Sequence, residues 1–166
     1  FVHSMHALTY FSKLIFPKNT IRTFVGGILV LLLFLVVGDS KFLGLGVPTI
    51  VASFHEQLDM FDFAIKLIFT VVTLSFGFKG GEVTPLFFIG ATLGNALFTF
   101  STLPLDLLAG MGFVGVFAGA TNTPIACTVM AMELFGWECG LYVALASILS
   151  YHISGVKSIY TSQRPS

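Results

Sequence analysis

Residues 23–38 read TFVGGILVLLLFLVVG, an apolar run with almost no interruption. A bilayer core about 30 Å thick is crossed by roughly 20 such residues in a helix, so this run predicts a membrane span. More follow. One runs from about Phe61 to Phe78 and carries a single charge, Lys66; the next follows Pro85, from Leu86 to Phe100. Leu107 to Met132 contains no formal charge but is split by Pro124, which predicts two helices meeting near Ala120 to Pro124. The last run is Gly140 to Ile153. Only 10% of the 166 residues are charged. A soluble domain carries about a quarter, so a soluble globular enzyme is disfavoured. Eight Lys and Arg form no basic stripe, the net charge is zero and the four histidines are scattered. Nucleic-acid binding and disorder are excluded on the same ground. An integral, multi-pass membrane protein is the expectation.

The breaks between the spans matter as much as the spans. Gly44-Leu45-Gly46-Val47-Pro48, Gly80-Gly81-Glu82-Val83-Thr84-Pro85 and Gly119-Ala120-Thr121-Asn122-Thr123-Pro124 interrupt the apolar pattern. Irregular backbone at membrane depth survives only inside protein or along a polar cavity. Short, interrupted helices aimed at a midplane site are a transporter signature. Lys13, Lys18 and Arg22 cluster before the first long span and place that end in the cytoplasm. The chain opens on Phe1 without a basic start and a short apolar core. No cleavable signal peptide is expected, and the opening reads as part of something longer.

The turn at residues 80–85 carries the chemistry. Its glycines allow close backbone approach, and Pro85 fits the first turn of the helix LFFIGATLGNALF. The N–H groups of Glu82, Val83 and Thr84 are then orphan donors at a positive helix end, an arrangement that takes an anion. The plain alternative is a loop and a helix start. Gly90 and Gly94, four apart, permit close helix packing. Glu82 has two compatible readings. It is a capping acid favoured by the helix dipole, or a protonatable group beside the anion, since desolvation favours the neutral form that donates a hydrogen bond.

Other residues have plainer readings. Tyr160 alone reads as an interfacial anchor. Glu133, late in an apolar helix, is expected to bond backbone or a loop, and Lys66 to snorkel or pair with an acid. Asn122 and Thr123 are expected to cap the helix opened by Pro124. Cys127 and Cys139 are expected to be buried thiols. His152 reads as incidental. The phenylalanines supply packing and lipid-facing surface, with Phe87 and Phe88 close enough to the turn to line a vestibule. No nucleophile–base pair, metal cluster or nucleotide loop is visible, so neither an enzyme nor a cofactor is expected.

Residues Gly80 to Gly94, GGEVTPLFFIGATLG, resemble the helix N signature of the CLC chloride channel and transporter family. Gly110-Met111-Gly112, Ala118 to Ile125 and Met132-Glu133 resemble its helices O and P. Ser158 to Gln163 is similar to the start of its helix R. The order and spacing match over nearly the whole chain. The resemblance implies an all-α integral membrane fold of short, tilted and broken helices. It implies that residues 1–166 are the second of two inverted repeats, helices J to R, without the first repeat.

The resemblance also assigns roles. Backbone amides of Glu82 and Val83, with the hydroxyl of Tyr160, would hold the central anion. The dimer interface would fall on Asn122 to Phe135 and Trp137 to Tyr151. The gating glutamate and the other anion-coordinating loop would lie in the missing half. Chloride-type members usually carry Phe where this chain has Val83, preceded by an apolar residue where it has Glu82. The Gly-Gly-Glu-Val-Thr-Pro form resembles the fluoride/proton antiporter branch, in which Glu82 and Thr84 would handle fluoride and protons. The expected function is fluoride export in exchange for protons, by a homodimer in the cell membrane. The alternatives are a chloride channel or chloride/proton antiporter of the same fold, or a fragment inert without its missing half.

Overall fold

A computed structural model describes residues 1–155, 158 and 159. Among these residues the structure is all helical, with α1 (Val2–Ile15), α2 (Asn19–Val37), α3 (Val47–Ala52), α4 (Asp62–Ser75), α5 (Val83–Leu97), α6 (Leu105–Thr121), α7 (Pro124–Phe135) and α8 (Gly140–Ser154). Single 3-10 turns lie at Ser40–Phe42, Phe98–Phe100 and Trp137–Cys139. Each break expected from the sequence contains a junction between helices. Gly38 ends α2 in the left-handed region at φ 74°, and Gly46 at φ 70° turns the chain into α3, whose first turn holds Pro48. Two helical stretches, Asn19–Val37 and Val83–Phe100, are long and apolar enough to cross a membrane. Helix α7, with 12 residues, reaches only about 18 Å.

Helix α5 sits between α4 and α6, and α8 packs on α6 beyond it. The α5–α6 seam is made by glycine. A β-carbon at Gly90 would collide with the Gly112 carbonyl, one at Gly94 with the Leu108 carbonyl, and one at Gly112 with the Gly90 carbonyl. With no water to expel between helices in lipid, such backbone-to-backbone approach supplies the packing that holds them. The main core gathers Phe42, Phe69, Phe88, Phe113, Val114 and Val143 around this seam. Helix α2 turns Phe24, Leu31, Leu32 and Leu35 outward, an apolar face suited to lipid.

Several expectations need correction. Helix α1 is absent from the sequence reading, because His3, Ser4, His6 and Ser12 interrupt its apolar face. Two of its contacts are polar: Ser12 Oγ donates to the Ser75 carbonyl at 2.7 Å, and Ser75 Oγ donates back to the Met5 carbonyl at 3.2 Å. Neither Asn122 nor Thr123 caps α7 with its side chain. Asn122 ends α6 in the left-handed region at φ 57°, and the Thr123 hydroxyl pairs with that of Thr121 at 2.7 Å. Phe87 and Phe88 are core rather than vestibule: Phe87 stacks on Phe113 at 4.0 Å, and Phe88 is fully buried beside Phe42. Glu133 is exposed rather than tucked under a loop among the described residues. Cys127 is buried as expected, whereas Cys139 is half-buried and its thiol donates to the Gly136 carbonyl at 3.0 Å.

Candidate anion site at the start of α5

The chain leaves α4 at Ser75 and reverses through Gly77, whose φ of 93° suits glycine. Arg22 and Thr23 of α2 crowd that turn, and Thr23 Oγ1 donates to the Phe76 carbonyl at 3.3 Å. Lys79, Gly80 and Gly81 then run exposed into α5, where Pro85 and Leu86 are already buried. The first backbone donor satisfied within the new helix is Leu86, which bonds the Glu82 carbonyl at 3.2 Å. Among the described residues, the N–H groups of Gly80 to Thr84 donate to no backbone carbonyl. They form a run of free donors at the positive end of the helix dipole.

Glu82 stands at the cap position of α5, but its carboxylate accepts no capping hydrogen bond. Its backbone is already helical, φ −86° and ψ −21°, rather than the extended conformation that swings a capping side chain over the helix end. The half-buried side chain lines a hollow of about 640 Å³ together with His6, Tyr10, Lys13, Lys79 and Ile159. Val83 and Thr84 are half-buried beside it. Tyr160 lies outside the described residues. Its neighbour Ile159 donates its N–H to the Ala120 carbonyl at 2.9 Å, and Ser158 Oγ to the Thr121 carbonyl at 3.4 Å. The end of α6, residue 159 and the start of α5 are therefore brought together.

The turn also borders a second space. A cavity of about 280 Å³ is lined by Gly44, Lys66, Thr70, Thr73, Gly80, Gly81 and Pro85. Gly80 and Leu74 line both spaces, so the turn is the partition between them. Lys66 neither snorkels nor pairs with an acid. It is 2% exposed, and its ammonium donates to the Phe42 carbonyl at 3.0 Å and the Gly44 carbonyl at 2.7 Å, 5.0 Å from the Phe88 ring centre. Its charge within an apolar span was the only signal in the sequence, and it gave no hint of these partners.

The loop that Lys66 holds is pinned from its other side by charge. Lys41 Nζ lies 3.0 Å from Asp62 Oδ1 and 3.5 Å from both Asp39 and Asp59. Burial pulls the Lys41 pKa down, but the hydrogen bond and charge of Asp62, with Asp39 and Asp59, outweigh it and raise the pKa above the ordinary lysine value. Because the folded value is raised, the contribution is complete at neutral pH and is lost only as pH climbs through the folded value, beyond the ordinary lysine range.

The faces expected to form an interface, Asn122 to Phe135 and Trp137 to Tyr151, lie on α7, α8 and the turn between them. They leave Ile125, Leu134, Trp137, Leu141 and Leu149 exposed.

Helices too short to cross cleanly, a glycine-packed seam and a broken helix start define an integral membrane protein. The family model for the voltage gated chloride channel matches residues 1–155. The chain is 49% identical over 170 residues to a chloride/fluoride channel protein of Pseudomonas syringae pv. tomato, covering 99% of this chain and 38% of that one. It is 25% identical over 152 residues to an uncharacterized protein of Methanocaldococcus jannaschii, covering 84% of this chain and 36% of the other. Its structure superimposes on the crystal structure of a CLC-type fluoride/proton antiporter with a TM-score of 0.95 at 36% identity, over 99% of this chain and 42% of that one. The chain belongs to the voltage-gated chloride channel (CLC) family of integral membrane anion channels and transporters, and it has the fold of that family. It spans about two fifths of the length of these relatives.

Proposed function

We propose that the chain is the C-terminal half of a CLC subunit, its second inverted repeat, and that the whole protein exports fluoride in exchange for protons. The observation that carries this reading is the uncapped Glu82 beside a run of free amides. A carboxyl that capped its own helix would be committed to structure. This one faces a hollow and is free to take up and release a proton next to an anion. Fluoride is small and strongly basic, and it is well served by a protonated carboxyl and by hydroxyl donors such as Thr84 and Tyr160. The first repeat would bring the gating glutamate and the remaining anion ligands. Two copies would pair through the apolar faces of α7 and α8 in the cell membrane. The likeness to the Pseudomonas protein, named for both halides, leaves chloride as the second reading.

The test is halide efflux from liposomes carrying the full-length protein, with pH recorded on both sides. The expected result is fluoride efflux with opposite proton movement, uncoupled or abolished in Glu82→Ala. Chloride flux at least as fast as fluoride flux sinks the fluoride assignment and returns Glu82 to a structural role.

A further inference from the structure

Half of the eight Lys and Arg residues meet where the α1–α2 hairpin touches the α4–α5 turn. Lys13 lies in the last turn of α1, Lys18 is the cap residue of α2, and Arg22 follows in the first turn of α2. The Arg22 guanidinium crowds Gly77, and Lys79, two residues further on, lines the same hollow as Lys13. Lys13, Lys18 and Lys79 are exposed, and among the described residues their ammoniums make no hydrogen bond or ion pair. Arg22 donates to Asn19 Oδ1 at 3.0 Å and leaves its buried Nε–H unpartnered. Glu82 is the one carboxylate lining that hollow, which His6 also borders. Asp39, Asp59 and Asp62 instead surround Lys41 beyond the other end of α2. The 19 residues of α2 separate the two groups by about 28 Å, close to the thickness of a bilayer core.

We propose that this basic corner is a docking surface for an anionic phospholipid, with the headgroup phosphate held at the start of α2 by Lys13, Lys18 and Arg22. The inference goes beyond the transport reading and does not depend on which halide is moved. Large apolar side chains border the cations: Leu14 and Ile15 on α1 are 68% and 64% exposed, and Phe24 on α2 is 71% exposed. A soluble anion has no use for such a border, whereas acyl chains lie along it while the lysine stems carry their charges to the headgroup level. The backbone supplies further donors. The first bond of α2 runs from the Arg22 N–H to the Lys18 carbonyl at 3.1 Å, so the amides of Asn19, Thr20 and Ile21 are open at a positive helix end. Arg22 and Thr23 also hold the turn at Phe76 and Gly77, so a seated headgroup braces the segment that leads to Glu82.

The test is the melting temperature of the full-length protein in a neutral detergent, titrated with phosphatidylglycerol, with phosphatidylcholine of the same acyl chains, or with inorganic phosphate. Phosphatidylglycerol is expected to raise the melting temperature in a saturable way, and the other two are expected to leave it unchanged. The double variant Lys13→Gln with Lys18→Gln is expected to need about 25-fold more phosphatidylglycerol, roughly fivefold for each cation removed near a charged headgroup. Glu56→Gln, an exposed change near the far end of α5, is expected to leave the titration as in wild type. If the double variant does not fold, the wild-type protein decides alone: its response to phosphatidylglycerol must shrink as salt screens the headgroup charge. An equal response to the two lipids, a response unmoved by salt, or a double variant that titrates like wild type overturns the proposal. Phosphate acting as well as phosphatidylglycerol overturns it too, since the corner would then be a site for a free anion. None of these results bears on fluoride or proton movement, which the liposome assay reads separately.

Discussion

At its C-terminal end α5 is anchored by a side chain with every bond made, whereas at its N-terminal end the donors are left open. Asn95 is fully buried and donates to the Ser53 and Glu56 carbonyls, both at 2.8 Å, while its oxygen accepts from the Leu58 N–H at 3.0 Å. One amide thereby fixes the chain that follows α3 against α5. Eleven to fifteen residues earlier, the amides of Gly80 to Thr84 have no backbone partner among the described residues, and the Glu82 carboxylate caps nothing. Every helix start leaves such donors, and here they stand where water or a ligand can reach them.

The contrast holds only if α5 is a rigid strut between its two ends, and the seam with α6 is where that rigidity is most easily broken. Gly94→Val would drive side-chain carbon into the Leu108 carbonyl and the Ala109 backbone. Backbone cannot move aside as a flexible side chain can, so the helices must separate. The expected cost is at least about 3 kcal/mol. In detergent the full-length variant should fail to give a monodisperse peak by size-exclusion chromatography. A wild-type profile would mean that α5 and α6 do not meet at this glycine.

Asn95→Ala comes next. It strands the buried Ser53 carbonyl and frees two neighbouring groups that reach water more readily, at an expected cost of about 2–3 kcal/mol. The expected readout is a lower melting temperature of the full-length protein with proton coupling retained in liposomes. Loss of coupling with unchanged melting would erase the distinction between the two ends. Asn95→Asp should be worse than Ala, because a carboxylate would face two carbonyl oxygens.

The sequence makes the scaffold end and the open end legible to different degrees. Gly90 and Gly94 declare a close-packed helix face by their spacing, and Pro85 with Gly80 and Gly81 declares a helix start, because both signals are local. The partners of Asn95 and Lys66 are not legible, since they come from backbone carbonyls 39–42 and 22–24 residues earlier, and any residue type offers a carbonyl. Helix α1 is hidden for a related reason. Ser12 reads as surface until Ser75 of α4 is placed against it. The Thr123 cap misleads in the opposite way: the local pattern is right for a cap, but the Thr121 hydroxyl competes for the side chain.

The smallest expected effect on stability is the sharpest test of the comparison. Glu82→Gln keeps the shape of the side chain and removes its charge. A side chain that capped α5 would lose its charge–dipole interaction, about 0.3–1 kcal/mol, and Gln would only partly replace the cap. Since the Glu82 carboxylate accepts no capping bond, the melting temperature of the full-length protein should shift by no more than the measurement error, or rise slightly as a half-buried charge is removed. Proton movement in liposomes should nevertheless fall sharply in the same variant, because Gln cannot exchange a proton. Stability and coupling then respond in opposite ways at the two ends of one helix: Asn95→Ala melts early and still couples, and Glu82→Gln melts normally and does not. A clear loss of stability in Glu82→Gln would show that the carboxylate is part of the scaffold after all, and the free amides alone would then have to account for the anion.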